Sequence, residues 1–176
     1  MQALILNLRQ NEVEFDKMSD DSTELVQSSG DSRISVNVQQ ISSRFQSVQA
    51  TAKEVVKKCE QNVADHRLYI DKYRQCSDWI VAAQARFDTC KENIKKGARN
   101  ILTEQYKVLE ELLSQQTSAS LLLNNTIELG EKLYLSTAPE GREVINNQLQ
   151  ELQQAFEALF DGINSTDREL KAKLTR

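Results

Sequence analysis

Two stretches of the chain carry the same apolar pattern, and this repetition constrains the fold more than any other feature. The first stretch alternates apolar steps of four and three residues: Ile34, Val38, Ile41, Phe45, Val48, Ala52, Val55 and Cys59. The register returns, broken only at Thr166, as Ile145, Leu149, Leu152, Phe156, Leu159, Ile163, Thr166 and Leu170. Such steps place one apolar stripe along a helix that packs against other helices. A repeat of roughly a hundred residues built from long helices is typical of spacers and docking rods rather than enzymes.

The composition indicates an ordered, all-α protein. Five glycines and one proline in 176 residues are too few for the turns of a many-stranded sheet. The net charge of −4 is mild and its charges are interspersed, so nothing in the sequence points to nucleic acid as a partner. The apolar runs, such as Leu121 to Leu123, are too short to cross a bilayer, and no signal peptide follows Met1. We therefore expect no membrane insertion.

Soft metal ligands and catalytic motifs are scarce. The chain has one histidine and three cysteines without a CxxC pair, which fits a reducing compartment. Four ligands within about 2.0–2.3 Å of one zinc ion cannot come from residues spread along one long helix without a second chain. We expect no metal, no cofactor and no catalytic residue, with these side chains packed as fillers: Cys59, His66, Cys76 and Cys90.

Helix breakers divide the chain into four predicted helices. A first helix over residues 1–28 ends near Gly30, and Asp31 or Ser32 can cap the next one. No glycine or proline occurs from Asp31 to Lys96, which predicts one continuous helix whose packing partners change around Asn62, His66 and Tyr69. This helix should end at Gly97. The third helix should run to about Leu135, with Gln116 and Ser120 as polar interruptions of its apolar stripe. Thr137 and Glu140 have capping-box spacing for a last helix from Pro139 towards Arg176.

These features resemble spectrin repeats. Trp79-Ile80 occupies the place of the family's helix A tryptophan, and the segment Leu149 to Phe156 is similar to helix C, with phenylalanine at the usual second tryptophan. The resemblance implies tandem left-handed three-helix coiled-coil bundles joined by a continuous helix. Residues 1–70 would form an incomplete repeat (helices B and C), and residues 71–176 a complete one (helices A, B and C). Phe45, Trp79 and Phe156 are the expected core signature, with Trp79 and Phe156 in one layer.

The segments Gly130 to Leu133 and Ala138 to Gly141 further resemble the end of helix B and its turn in the giant nesprins, the nuclear-envelope spectrin-repeat proteins. This resemblance implies a non-enzymatic rod segment that links the nuclear envelope to actin and docks cytoskeletal regulators such as formins. It also implies a cytoplasmic location at the outer nuclear membrane and cytoskeleton, reached through other parts of the chain. The alternative is a spacer of a cortical cytoskeletal protein of the dystrophin or plakin type.

Two surfaces are candidates for partner binding. The first combines the residue types that favour interface hot spots, namely Arg67, Tyr69, Lys72, Tyr73 and Arg74. The alternative is that Tyr69, Ile70 and Tyr73 pack a junction between repeats. The second is an apolar groove on residues 1–58, left open by the missing third helix and suited to self-association or another partner. Its stripe is formed by Leu4, Leu8, Phe15, Ile41, Phe45 and Val48.

Overall fold

The computed structural model describes residues 2–176, and within this range the protein consists of helices without a strand. The five α-helices are α1 (Gln2–Ser29), α2 (Ser32–Lys95), α3 (Arg99–Ser114), α4 (Gln116–Lys132) and α5 (Pro139–Leu174). A short 3₁₀ helix, Tyr134–Ser136, precedes α5. The all-α, spectrin-like coiled-coil fold is therefore confirmed; Met1, the first residue of the first predicted helix, lies outside the described residues.

The long helix α2 begins and ends as the sequence predicts. Gly30 adopts a left-handed conformation with φ of 69°, and the Asp31 carboxylate accepts the backbone N–H of Arg33 at 3.0 Å. This bond satisfies one of the amides that the first helical turn leaves unpaired. At the other end, Gly97 has φ of 77°, a conformation that glycine adopts without steric cost. Continuity of the helix from Ser32 to Lys95 is thus confirmed.

The prediction of one unbroken helix up to Leu135 is wrong, because the chain breaks between α3 and α4 at Gln115. Two serine hydroxyls flank the break. Ser114 donates to the carbonyl of Glu111 at 2.6 Å, and Ser118 donates to the carbonyl of Gln115 at 3.0 Å. Hydroxyls that bond nearby carbonyls compete with the helical ladder and bend helices. The polar run that the sequence shows only as an interruption therefore becomes a helix boundary.

The start of α5 also differs from expectation. Ala138 is the N-cap residue and no side chain caps it, so Thr137 and Glu140 do not form a capping box. The Thr137 hydroxyl instead bonds the carbonyl of Leu133 and lies 3.2 Å from Nε2 of His66. Pro139 does occupy the first turn, where its missing N–H costs no hydrogen bond.

The chain forms two compact units, the first ending at Gln61 and the second running from Asn62 to Arg176. The boundary expected at residue 70 lies inside the second unit. In the first unit, α1 packs against the beginning of α2. The rings of Phe15 and Phe45 stack with centroids 4.0 Å apart, and Gln49 Nε2 donates to Glu12 Oε2 at 2.9 Å. The first unit therefore contains two helices, and Phe45 belongs to their contact.

The second unit packs the remainder of α2 against α3, α4 and α5. Its core includes Cys76, Phe87, Leu109, Leu123, Phe156, Leu159 and Ile163. Trp79 is half-buried and stacks on Phe160, with ring centroids 6.0 Å apart, and Phe156 contacts Phe160 at 4.8 Å. Phe160 thus lies between the two aromatics expected to form one layer. Phe156 is buried and Trp79 is half-buried at the edge of the core, and the stacking partner of Trp79 lies one helical turn further along α5 than Phe156.

The apolar stripe of α5 drifts near its end. The regular alternation places Thr166 in the core, whereas Thr166 is half-buried and the neighbouring Asp167 is buried, 6% exposed. An α-helix has 3.6 residues per turn and drifts relative to a 3.5-residue repeat. Over the three heptads from Ile145 to Thr166 the drift reaches about 60°, which is more than half of the roughly 100° between neighbouring residues, so Asp167 faces inward in place of Thr166.

Candidate functional site

The expected partner-binding cluster divides between core and surface. Tyr69 is only 3% exposed and packs with Leu133, Ile145 and Leu149. Its hydroxyl donates to Gln148 Oε1 at 3.0 Å. Burial, with smaller contributions from two neighbouring tyrosines, raises the pKa of Tyr69 to about 12. Tyr69 is therefore packed in the core of the second unit, whereas Ile70, which the packing alternative grouped with it, is 48% exposed.

The other members of the cluster have different environments. Tyr73 is half-buried, with its ring centroid 6.1 Å from that of Tyr69. Arg67 and Arg74 are exposed, whereas Lys72 is half-buried and donates to Gln75 Oε1 at 3.4 Å. The structure therefore leaves Arg67 and Arg74 accessible, and Lys72 lines a concave surface.

That concave surface is a groove between α2 and α4 with a volume of about 640 Å³. Leu68 and Leu129 supply its apolar part, and Leu68 is 47% exposed. Polar and charged side chains complete the lining: Lys72, Asn125, Glu128, Glu131 and Lys132. We call these seven residues the α2–α4 groove. An open apolar strip rimmed by charges of both signs suits protein docking.

Helix α4 is held close to α2 and α5 by Gly130. A Cβ atom at this position would lie 2.9 Å from Leu149 Cδ1, 3.0 Å from Tyr69 Cε2 and 3.2 Å from Ile145 Cγ2. Only glycine fits there without displacing a neighbour. Thr126, fully buried, adds contacts from its hydroxyl to the carbonyls of Leu122 at 2.8 Å and Lys72 at 3.4 Å. These contacts position the two walls of the groove.

Sequence reasoning selected Lys72 but missed the rest of the groove. Leu68 and Leu129 are large apolar residues outside the apolar stripes of their helices. That position could have identified them from the sequence as candidates for the groove. Glu128, Glu131 and Lys132 resemble any solvated helix face. Only the packing of α4 beside α2 brings these residues together.

The histidine and the cysteines, which are the chain's soft metal ligands, do not cluster among the described residues. Cys76 and Cys90 are buried, and burial raises the pKa of Cys76 to about 11 and that of Cys90 in the same direction. His66 contacts the carbonyl of Asn62 through Nδ1 at 2.8 Å. Over residues 2–176, no group of three or more His, Cys, Asp or Glu side chains is arranged to hold a metal ion. In the same range, no helix is both long and apolar enough to cross a membrane.

A helical bundle with heptad stripes and one long helix that contributes residues to both units defines a spectrin-like coiled-coil protein. The chain is 56% identical over 175 residues, 99% of its length, to Muscle-specific protein 300 kDa of Drosophila melanogaster. It is 25% identical over 74% of its length to Nesprin-3 of Mus musculus, and 26% identical over 68% to Nesprin-3 of Homo sapiens. The chain belongs to the nesprin-like spectrin-repeat proteins.

The matched region is a small part of these relatives. The chain spans 1% of the Drosophila protein and 12–13% of the two Nesprin-3 proteins. No protein-family profile matches the chain, and no solved structure matches it.

Proposed function

We propose that this segment is a non-enzymatic spacer and protein-docking platform in a long rod that links the nuclear envelope to the actin cytoskeleton. The observation that carries the proposal is the 56% identity to the Drosophila relative over nearly the whole chain. The nesprin-like relatives support a structural, cytoskeletal linker role and favour it over the dystrophin or plakin type. The segment would then act in the cytoplasm at the outer nuclear membrane, positioned there by other parts of a longer protein.

The chemistry of the side chains supports a non-enzymatic role. Catalysis by cysteine requires a thiolate, whereas burial raises the pKa of both Cys76 and Cys90 and keeps them protonated. The interior of the second unit is filled by aliphatic and aromatic side chains. A core filled by packed side chains supports a structural role, since substrates bind in concave pockets.

Docking would use the α2–α4 groove, and an actin regulator such as a formin is the proposed partner. Leu68 and Leu129 would bury apolar surface, while Lys72, Glu128 and Lys132 would select the partner by charge. Arg67 and Arg74 are exposed on α2 but lie more than a quarter of a turn around the helix from Leu68 and Lys72, so they would not form part of this contact. Tyr69 and Tyr73 would act only by holding the groove in shape.

The proposal can be tested by titrating the fluorescently labelled chain with purified formin fragments. The double variant Leu68→Glu, Lys72→Glu should weaken binding about tenfold or more, because it removes apolar contact and reverses a charge. Leu121→Glu is the matched control, since Leu121 is 61% exposed on α4 and lies outside the groove lining. Equal loss in both variants would contradict the groove, and absence of binding by the unmodified chain would contradict the formin.

A further inference from the structure

A histidine connects the long helix α2 to the segment that joins α4 to α5. His66 is the only histidine in the chain, and it is half-buried within the second unit. Its Nδ1 lies 2.8 Å from the carbonyl oxygen of Asn62, and its Nε2 lies 3.2 Å from the hydroxyl oxygen of Thr137. Both ring nitrogens are therefore within hydrogen-bond distance of an oxygen atom.

The contact with Asn62 determines which nitrogen of the neutral ring carries the proton. A backbone carbonyl only accepts hydrogen bonds, so Nδ1 of His66 must be the donor in this contact. A neutral imidazole has a single N–H, and its other nitrogen bears a lone pair. In the neutral ring of His66, Nε2 can therefore only accept a hydrogen bond.

The hydroxyl group of Thr137 uses its proton elsewhere. It donates to the carbonyl oxygen of Leu133 at 2.5 Å, which is much shorter than the 3.2 Å between this hydroxyl and Nε2 of His66. A hydroxyl has one proton and cannot donate to both acceptors. Two lone pairs therefore face each other when His66 is neutral. A second proton on the ring converts this contact into an N–H···O hydrogen bond and leaves the bond to Leu133 intact.

The surrounding residues hold Thr137 in front of the ring. Nε of Arg142 donates to the backbone carbonyl of Thr137 at 2.8 Å. The methyl group of Thr137 lies over Gly141, where a Cβ atom would approach it to 2.6 Å. The backbone and the methyl group of Thr137 are thus both fixed, so the hydroxyl group stays beside Nε2 of His66.

The charged groups on the adjoining segments balance one another. Within residues 62–70 and 130–142 there are three acidic and three basic side chains, and Tyr134 is a further titratable group: Asp65, Glu131, Glu140, Arg67, Lys132 and Arg142. Carboxylate, ammonium and guanidinium groups ordinarily keep their charge between about pH 5 and 8. The net charge of these six groups is therefore zero throughout that range, and the hydrogen-bond geometry decides which form of the ring is favoured.

We propose that His66 is a proton-controlled latch between α2 and the segment that joins α4 to α5. The latch closes when the ring takes up a second proton, because only the imidazolium donates to Asn62 and Thr137 at the same time. Histidine is the side chain that ordinarily changes charge between about pH 5 and 8. The stabilisation is present while the ring is charged and is lost as the pH rises through the titration of the ring.

Thermal melts of the whole chain at about pH 5.5 and about pH 8 test the latch, since histidine titrates between these values. Relative to the variant His66→Gln, the unmodified chain should gain about 2–4 °C in Tm at the lower pH. Thr137→Val should abolish this gain, because valine keeps the shape but lacks the hydroxyl group. Ser136→Ala is the matched control and should retain the gain, since the Ser136 hydroxyl also donates to Leu133, at 3.2 Å, and forms no bond with the ring.

NMR of the imidazole nitrogens provides a second readout, which is unambiguous because the chain has one histidine. At about pH 8 the proton of the neutral ring should be on Nδ1, and the ring should lose its second proton at a lower pH in Thr137→Val than in the unmodified chain. A neutral ring protonated on Nε2, identical ring titrations in the two proteins, or an unchanged Tm gain in Thr137→Val would overturn the proposal. Each of these results would leave the proposed docking groove unaffected.

Discussion

Replacing Asp167 by leucine should make the protein more stable. Asp167 is buried in α5, and its Oδ2 accepts from Lys171 Nζ at 3.0 Å. Its Oδ1 is buried and has no hydrogen-bond partner among the described residues. A buried acceptor without a donor costs about 1–3 kcal/mol. The carboxylate therefore occupies a core position without complete hydrogen bonding.

The size of the effect follows from three contributions. Leucine would add about 1.5–3 kcal/mol of apolar burial and would remove the unpaired oxygen. Its larger volume would offset about 1–3 kcal/mol through overpacking. The cation of Lys171 is half exposed and retains solvent and the ring of Tyr106, 5.4 Å away, after the carboxylate is lost. We expect a net gain of about 1–2 kcal/mol.

Chemical denaturation followed by circular dichroism measures this gain. Asp161→Leu is the control, because Asp161 is exposed on the same helix and its replacement should change stability by less than about 0.5 kcal/mol. Lys171→Ala should act in the opposite direction to Asp167→Leu, since it leaves the whole buried carboxylate unpaired. Destabilisation by Asp167→Leu together with an unaffected Lys171→Ala variant would refute the reasoning.

Three further perturbations probe packing, ionisation and helix continuity. Gly130→Ala should reduce the free energy of unfolding by up to about 2 kcal/mol, since the cost of overpacking exceeds the gain of about 1 kcal/mol in helix propensity. Increased stability of this variant in thermal melts would contradict the close contact of Gly130 with Leu149 and Tyr69. Because the pKa of Tyr69 is raised from 10 to about 12 in the folded state, its contribution to stability is complete below pH 10 and is lost as pH rises through 12. Denaturation across that range should show a loss that Tyr69→Phe diminishes, and an identical loss in the variant would count against this assignment. Ala64→Pro should cost about 3 kcal/mol within α2, whereas Ala138→Pro should be tolerated, since Ala138 has φ of −61° and follows an extended residue; equal melting temperatures would contradict a continuous α2.

The sequence predicts the helices better than their local details. The bounds of α2 could be deduced to within a residue, because the signals that set them are local. Gly30 and Gly97 interrupt the helix at either end, and Asp31 caps its first turn. The break at Gln115 could not, because Ser114 and Ser118 act by competing for carbonyls and composition does not reveal which bonds form. Burial of Asp167 instead of Thr166 depends on helical drift that accumulates along α5.

Part of the candidate site could likewise be predicted from the sequence, and part could not. Residue type drew attention to α2 around Lys72, but Tyr69 and Tyr73 could equally have been surface or core. Their placement depends on contacts with Leu133 and Ile145, which are distant in sequence. The groove itself arises only where α4 approaches α2 through Gly130. Such features follow from tertiary packing and cannot be deduced from one helix alone.

Backbone chemical shifts of the whole chain, measured residue by residue by NMR, test the central claim that one uninterrupted helix contributes to both units. The structure predicts helical shifts throughout Ser32–Lys95, with non-helical values at Gly30 and Gly97 and a third interruption at Gln115. Slow amide exchange should continue without a gap between residues 56 and 69. A non-helical or rapidly exchanging stretch around Asn62 to His66 would contradict the account.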